Sequence, residues 1–234
     1  MPELITSAPA TVLAVYAHPD DPDVSAGGTL ARWAAEGSVV HVCICADGDK
    51  GSLDPRTRPV DLVERRRQEV AAAGATLGVS HHHWLGYPDG EIDDTPELRG
   101  RLVALIRQVR PDAVMAADPT AVYFGQHYIN HRDHRVTGWA TIDAVSPAAA
   151  NPHYFPDAGP AHPVRWLYLS GTLEPDVWVD ISKTIDSKAA AIACHTSQLG
   201  ESGEWLRRAV RQRAEDAGRE AAVTFAEGFR LIRL

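Results

Sequence analysis

Two rhythms of apolar and polar positions alternate along this chain, and together they predict its fold class. Residues 11–17 (TVLAVYA) and 38–46 (SVVHVCICA) are short, nearly continuous apolar runs of the kind that form strands covered on both faces. Between them, residues 25–36 carry a helical spacing, and Gly27 and Gly28 let that helix approach its neighbours closely. Residues 60–77 repeat the helical rhythm, with Gly78 as the stop, and residues 81–85 predict a short strand. Thr95, Pro96 and Glu97 read as a helix start: an N-cap, a proline at the first helical position, then an acid in the first turn. Leu98, Leu102, Leu105, Ile106 and Val109 give that helix one apolar face, and residues 112–117 form the next strand.

A helix is expected from about residue 130. Residues 147–163, rich in Pro, Ala and Gly, predict a long loop, which in a compact domain is functional or mobile. Residues 164–169 and 177–181 predict late strands that are candidates for antiparallel pairing, followed by helices near 182–195 and 204–217. No repeat, linker or low-complexity tail interrupts the alternation. The expectation is one α/β domain over residues 1–234: a Rossmann-like three-layer sandwich, its sheet mostly parallel with late antiparallel strands.

Composition narrows the partners. A chain of 234 residues can bury a substantial core, and a net charge of −8 argues against broad affinity for nucleic acid or anionic membrane. Three cysteines make no disulfide framework; Cys43 and Cys45 project to one face of a strand and read as buried structural thiols. No run approaches membrane-spanning length and the N-terminus lacks a leader pattern, so the expectation is a cytoplasmic protein without membrane insertion.

The chemistry is concentrated in two short segments, A-H-P-D-D at 17–21 and H-R-D-H at 131–134. His18 and Asp118 each lie just past a predicted strand, which puts both segments on the rim where such sheets bind ligands. Pro19 stiffens the turn that presents Asp20 and Asp21. Adjacent side chains do not easily reach one ion, so one aspartate binds it and the other stands beside the attacking water. His131 and His134 are three apart and share a helix face. Asn130 is placed to cap that helix; Asp133 then falls in the first turn, where it can accept a ring N–H from a neighbouring histidine. His18, Asp21 and His134 suit catalytic zinc, which takes three protein ligands and leaves room for water; Fe2+, Mn2+ or Co2+ would accept the same donors. Asp20 is then the general base, and His131 stabilises the oxyanion or protonates the leaving amine.

Other features are assigned plainer roles. His81, His82 and His83 read as strand packing, with only His81 and His83 on one face, and His41 as a structural histidine inside its strand. Arg65, Arg66 and Arg67 read as a solvated helix face from which one member could point inward. G-x-G-x-x-G and G-x-S-x-G are absent, which disfavours nucleotide-binding and serine-hydrolase readings.

These residues resemble, almost end to end, the LmbE-like or PIG-L-type zinc-dependent N-deacetylases. The resemblance rests on A-H-P-D-D with its trailing G-G-T (27–29), A-D-G-D-K-G (46–51), and R-x-x-E at Arg66 and Glu69. It continues through L-G-Y-P-D-G (85–90), R-P-D-A-V (110–114), H-x-D-H-x-x-x-G (131–138), H-T-S-Q (195–198) and A-E-G-F (226–229). It implies His18, Asp21 and His134 as zinc ligands and Asp20 as general base, with His131 and its partner Asp133 assisting at the tetrahedral intermediate. It also implies sugar contacts at Arg66 and Asp89, with His195 on a helix at the pocket edge. The implied activity is removal of an N-acetyl group from an N-acetylglucosamine-containing small molecule. An amidase acting on a larger acyl group, in a thiol conjugate or antibiotic precursor, is the alternative. A binding module without turnover is disfavoured by Asp20, a base such a module does not need. Short relatives imply a homo-oligomer, a trimer or hexamer. Two departures stand out: Pro22 and Asp23 replace the Glu that relatives often carry after the Asp pair, and Ile129 stands where some members place a tyrosine, Tyr128 being one position off. The second leaves oxyanion assistance to His131 or His195.

Overall fold

Strand side chains alternate between two cores, which is why the strands read as unbroken apolar runs. Leu13 and Val15 join Cys43, Cys45, Val114 and Ala116 on one face, while Val12, Ala14 and Tyr16 join Val40, Val42 and Ile44 on the other. The computed structural model describes residues 2–199 and 203–234. In chain order the strands are β1 (Glu3–Leu4), β2 (Thr11–Tyr16), β3 (Val39–Ala46), β4 (His81–Tyr87), β5 (Ala113–Ala117), β6 (Tyr123–Phe124), β7 (Tyr128–Ile129), β8 (Trp166–Ser170), β9 (Val177–Asp180) and β10 (Ala226–Arg233). The helices are α1 (Asp21–Ala35), α2 (Pro59–Leu77), α3 (Pro96–Val109), α4 (Arg132–Asp143), α5 (Ile185–Ala193), α6 (Thr196–Leu199) and α7 (Gly203–Ala221). Helices α1, α5 and α7 cover one face of the sheet; α3 and α4 cover the other. No helix among the described residues is long and apolar enough to cross a membrane.

The sheet has eight strands in the order β1-β9-β10-β8-β5-β2-β3-β4, with β6 and β7 forming a separate hairpin. Its pairings are parallel except those of β10, which runs antiparallel to both β8 and β9. The antiparallel pairing expected late in the chain is therefore present. Its source is a strand at 226–233 that no apolar run announces, because Phe229 and Leu231 are interleaved with Gly228, Arg230 and an exposed end. Glu227, at the start of this strand, accepts the Gly28 N–H (3.0 Å) and the Thr29 N–H (2.7 Å) and pairs with Lys188. The last strand thus fixes the helix that carries the aspartate pair. A Cβ on Gly28 would come within 2.7 Å of Ile181, so the helix lies against that residue only because Gly28 has none.

Two boundaries differ from expectation with consequences for the site. α1 begins at Asp21, four residues early, because Pro22 is at home in a first turn. α4 begins at Arg132 with His131, not Asn130, as its N-cap: the ring Nδ1 accepts the Asp133 N–H at 3.2 Å.

The segment at 147–163, expected as a long loop, opens on the end of a helical stretch (Ala144–Ala149) and holds a short helical turn (Pro156–Ala158), and it is pinned rather than loose. Arg107, on α3 and 3% exposed, donates to the carbonyls of Ala148, Ala149, Asn151, Tyr154, Phe155 and Gly159 over 2.8–3.2 Å. A short side chain would strand the buried Ala148 and Ala149 oxygens and release the part-buried remainder to solvent. Arg107→Ala is expected to destabilise the protein by about 3 kcal/mol, read as a lower denaturation midpoint with an unchanged slope. A shift near zero would mean the loop holds itself.

Candidate metal centre

Strand β2 ends at Tyr16 and delivers His18 to the carboxyl rim, where α1 starts with Asp20 as its N-cap and Asp21 as its first helical residue. Consecutive residues at a helix start diverge, and these do: Asp21 turns toward α4 and Asp20 toward α2. The His18 N–H donates to Asp21 Oδ2 at 2.7 Å, closing the turn. Across the rim, α4 presents His134. Its Nδ1–H donates to Asn130 Oδ1 (2.9 Å), and the Asn130 amide donates in turn to the Ala121 carbonyl (2.8 Å). That chain leaves His134 Nε2 unprotonated in the neutral ring and aimed inward.

Ligand atoms of three residues meet there, Asp21 facing the two rings with a different oxygen each. His18 Nδ1 lies 3.1 Å from His134 Nε2 and 3.4 Å from Asp21 Oδ2, and His134 Nε2 lies 3.1 Å from Asp21 Oδ1. Metal–ligand bonds of about 2.0 Å at tetrahedral angles separate ligand atoms by about 3.3 Å, so the donor set fits a divalent ion of that size. Charge agrees with geometry. Burial would depress the His18 pKa, but the carboxylates of Asp133, Asp21 and Asp89 outweigh it and push it up to about 12, so positive charge is favoured at this ring.

The other side of the His18 ring is also acidic. Nε2 lies 3.1 Å from Asp89 Oδ1 and 3.4 Å from Asp133 Oδ2. Asp133 is fully buried, and its Oδ2 accepts the Gly90 N–H at 2.6 Å. Burial raises its pKa, but His18 and that N–H outweigh it and hold the carboxyl below the ordinary range. Asp133 therefore meets His131 through its main chain and His18 through its carboxylate. His131 stands edge-on to His18, ring centroids 4.8 Å apart. With Nδ1 accepting the Asp133 N–H, the neutral His131 ring carries its proton on Nε2, the atom left to donate.

Asp20 has a buried partner. Arg66, 2% exposed, is the member of the arginine run that points inward: its Nη2 donates to Asp20 Oδ1 (2.8 Å) and its Nη1 to the Gly48 carbonyl (3.1 Å). Gly48 sits at φ +69°, and a Cβ there would come within 2.1 Å of Nη1; one on Gly51 would come within 2.7 Å. The A-D-G-D-K-G turn is thus a sleeve around the arginine. His195 is 1% exposed and lies in the turn between α5 and α6, where its Nε2 meets Asp23 Oδ2 at 2.5 Å. It is neither on a helix nor at an open pocket edge, which corrects the expectation for it. Glu69 completes this wall, accepting from Ser197 N (2.7 Å), Ser197 Oγ (2.6 Å) and Thr196 Oγ1 (2.8 Å) at the start of α6.

Asn130 as the residue that orients His134, and Arg66 as the clamp on Asp20, are not readable from residue types alone. The first had a signal: an amide four residues before a ligand histidine, just ahead of the helix that carries it. Tyr128 and Ile129 are both exposed on the β6–β7 hairpin; desolvation and the Asp21 charge raise the Tyr128 pKa.

Residues 13–145 match the profile of the family described as GlcNAc-PI de-N-acetylase (PIG-L). That span includes all of the cluster residues but not His195. Over 225 residues the chain is 32% identical to diacetylchitobiose deacetylase of Thermococcus kodakarensis, which covers 94% of this chain and 82% of that one. It is 32% identical over 190 residues to 1D-myo-inositol 2-acetamido-2-deoxy-alpha-D-glucopyranoside deacetylase 2 of Saccharopolyspora erythraea, covering 70% of this chain and 67% of that one. The fold superposes on N,N'-diacetylchitobiose deacetylase from Pyrococcus horikoshii with a TM-score of 0.89 at 30% identity, over 96% of this chain and 84% of that one.

Proposed function

The chain belongs to the PIG-L (GlcNAc-PI de-N-acetylase) family, and from that premise we propose that it is a metal-dependent hydrolase that removes the acetyl group from N-acetylglucosamine within a small molecule. One observation carries the reading: the side chains of His18, Asp21 and His134 converge to 3.1–3.4 Å beside a carboxylate, Asp20, that lies outside the ligand set and is clamped by a buried arginine.

His18, Asp21 and His134 hold the ion, for which zinc suits two imidazoles and one carboxylate best. When bound, it supplies Lewis-acid polarisation of the acetyl carbonyl and makes water more acidic. Asp20 takes a proton from the attacking water and returns it to the nitrogen as the C–N bond breaks, so acetate and a free amine leave. His131 donates from Nε2 to the oxygen that gains charge, a role its tautomer favours over that of proton donor to the amine. Asp133 steadies His18 and, through Gly90, the loop bearing Asp89. Asp89 is the candidate sugar contact. Arg66 and His195 are too buried to touch a sugar and act as positioning residues, Arg66 on Asp20 and His195 on Asp23.

Metal-replete protein given a panel of N-acetylglucosamine derivatives, N,N'-diacetylchitobiose among them, is expected to release acetate and one new amine per turnover. Absence of acetate from the whole panel would overturn the reading. Faster release of a longer acyl chain would move the assignment to an acyl amidase.

A further inference from the structure

Two turns at the carboxyl rim grip each other beside the site. One follows β3 and carries Gly48, Asp49 and Lys50; the other follows β4 and carries Asp89. The Asp47 N–H donates to the Tyr87 carbonyl (2.9 Å), which carries the main-chain pairing just past the strand ends. From there side chains take over. Asp49 Oδ1 accepts the Asp89 N–H at 2.8 Å, and Lys50 Nζ donates to the Asp89 carbonyl and to Glu91 Oε1, each at 2.6 Å. Both main-chain polar groups of Asp89 are thus held by consecutive residues of the neighbouring turn. That turn is anchored on its other side as well, where the Gly48 carbonyl accepts from Arg66, the clamp on Asp20.

We propose that Asp49, aided by Lys50, is a positioning residue: it sets where the Asp89 carboxylate stands and thereby how the sugar is held. The inference rests on the deacetylase reading above, with Asp89 as the sugar contact. Asp89 Oδ1 lies 3.1 Å from His18 Nε2, so its place matters to a ligand ring and to substrate alike. A side chain on a turn is only as fixed as the main chain beneath it, and a displacement of about 1 Å costs up to about 100-fold in rate. The two grips are unequal. Asp49 is half-buried and its bond is charge-assisted, whereas Lys50 is exposed and its pair with Glu91 lies open to solvent. Asp49 is the stronger grip. Through Gly48 and Asp49, one turn supports both the base and the sugar contact, so a short stretch of main chain spaces them.

Hydrogen exchange at the Asp89 amide, followed by NMR on metal-replete protein, reads the grip without turnover. Asp49→Ala is expected to speed that exchange at least about tenfold. Asp49→Asn, whose Oδ1 can accept the same N–H, should stay near the wild-type rate. Unchanged exchange in Asp49→Ala would refute the grip, whether or not the protein releases acetate. If Asp49→Ala does not fold, Lys50→Met on the exposed side should shift exchange in the same direction by less. Kinetics then read the consequence on a substrate the wild type deacetylates. Asp49→Ala should raise KM about tenfold with a smaller change in kcat, and Asp49→Asn should restore it. Added to Asp89→Ala, Asp49→Ala should cost nothing further, because it acts through Asp89. Additive losses, or a fall in kcat alone, would overturn the positioning role. A wild type that released no acetate would sink the deacetylase reading instead, and the exchange result would still decide the grip.

Discussion

Asp20→Asn is expected to keep its metal and lose about 10²- to 10⁴-fold in kcat. The argument is one of near-identical shape. Asparagine keeps an oxygen for the Arg66 Nη2, 2.8 Å away in the wild type, so the α1 start and the sleeve around Arg66 should stand. What disappears is the capacity to hold a proton between water attack and departure of the amine. Because Asp20 lies outside the ligand set, metal content after dialysis should match wild type, and KM should move little. Arg66→Met separates aim from chemistry: Asp20 is still there to take the proton but is no longer held, so kcat should fall by less than in Asp20→Asn. An Asp20→Asn enzyme with unchanged kcat would remove the base from the mechanism.

The rim was legible because strand ends are. A run such as TVLAVYA predicts where β2 stops, and the residue after it must face the carboxyl edge, so His18 and the 131–134 segment meet by topology. Roles that depend on the third dimension were not legible. Three consecutive arginines on α2 do not say which one points inward; that is decided by a turn whose glycines leave space for Arg66 alone. His195 carries a family motif, yet its burial against Asp23 depends on how α5 docks on α1. The 147–163 segment looks like a mobile loop because the guanidinium that holds it lies some forty residues earlier, on α3. Strand β10 is hidden for a related reason. Its two large apolar side chains, Phe229 and Leu231, suffice because β8 and β9 already flank the gap it fills.

Asp21→Ala and His134→Ala should each lose the metal, and with it the activity, whereas Asp89→Ala should keep the metal. This contrast decides which side of the His18 ring holds the ion. Both sides carry acidic neighbours, and His18, Asp89, His131 and Asp133 also have ligand atoms within 4.8 Å of one another. The Nδ1 side is the better cage for three reasons. Its ligand atoms are 3.1–3.4 Å apart. His134 Nε2 is held in the right tautomer by Asn130. On the Nε2 side both Asp133 Oδ2 and His131 Nδ1 are committed to main-chain N–H groups, whereas on the Nδ1 side only Asp21 Oδ2 is, which leaves Asp21 Oδ1 and His134 Nε2 for the ion. Elemental analysis after dialysis reads the outcome directly. Asn130→Ala supplies a graded control: freeing His134 to rotate and change tautomer should weaken metal affinity about 10- to 100-fold without removing a ligand. If Asp89→Ala emptied the site while Asp21→Ala stayed loaded, the ion would belong on the opposite side of His18, and Asp20 would lose its place beside the water.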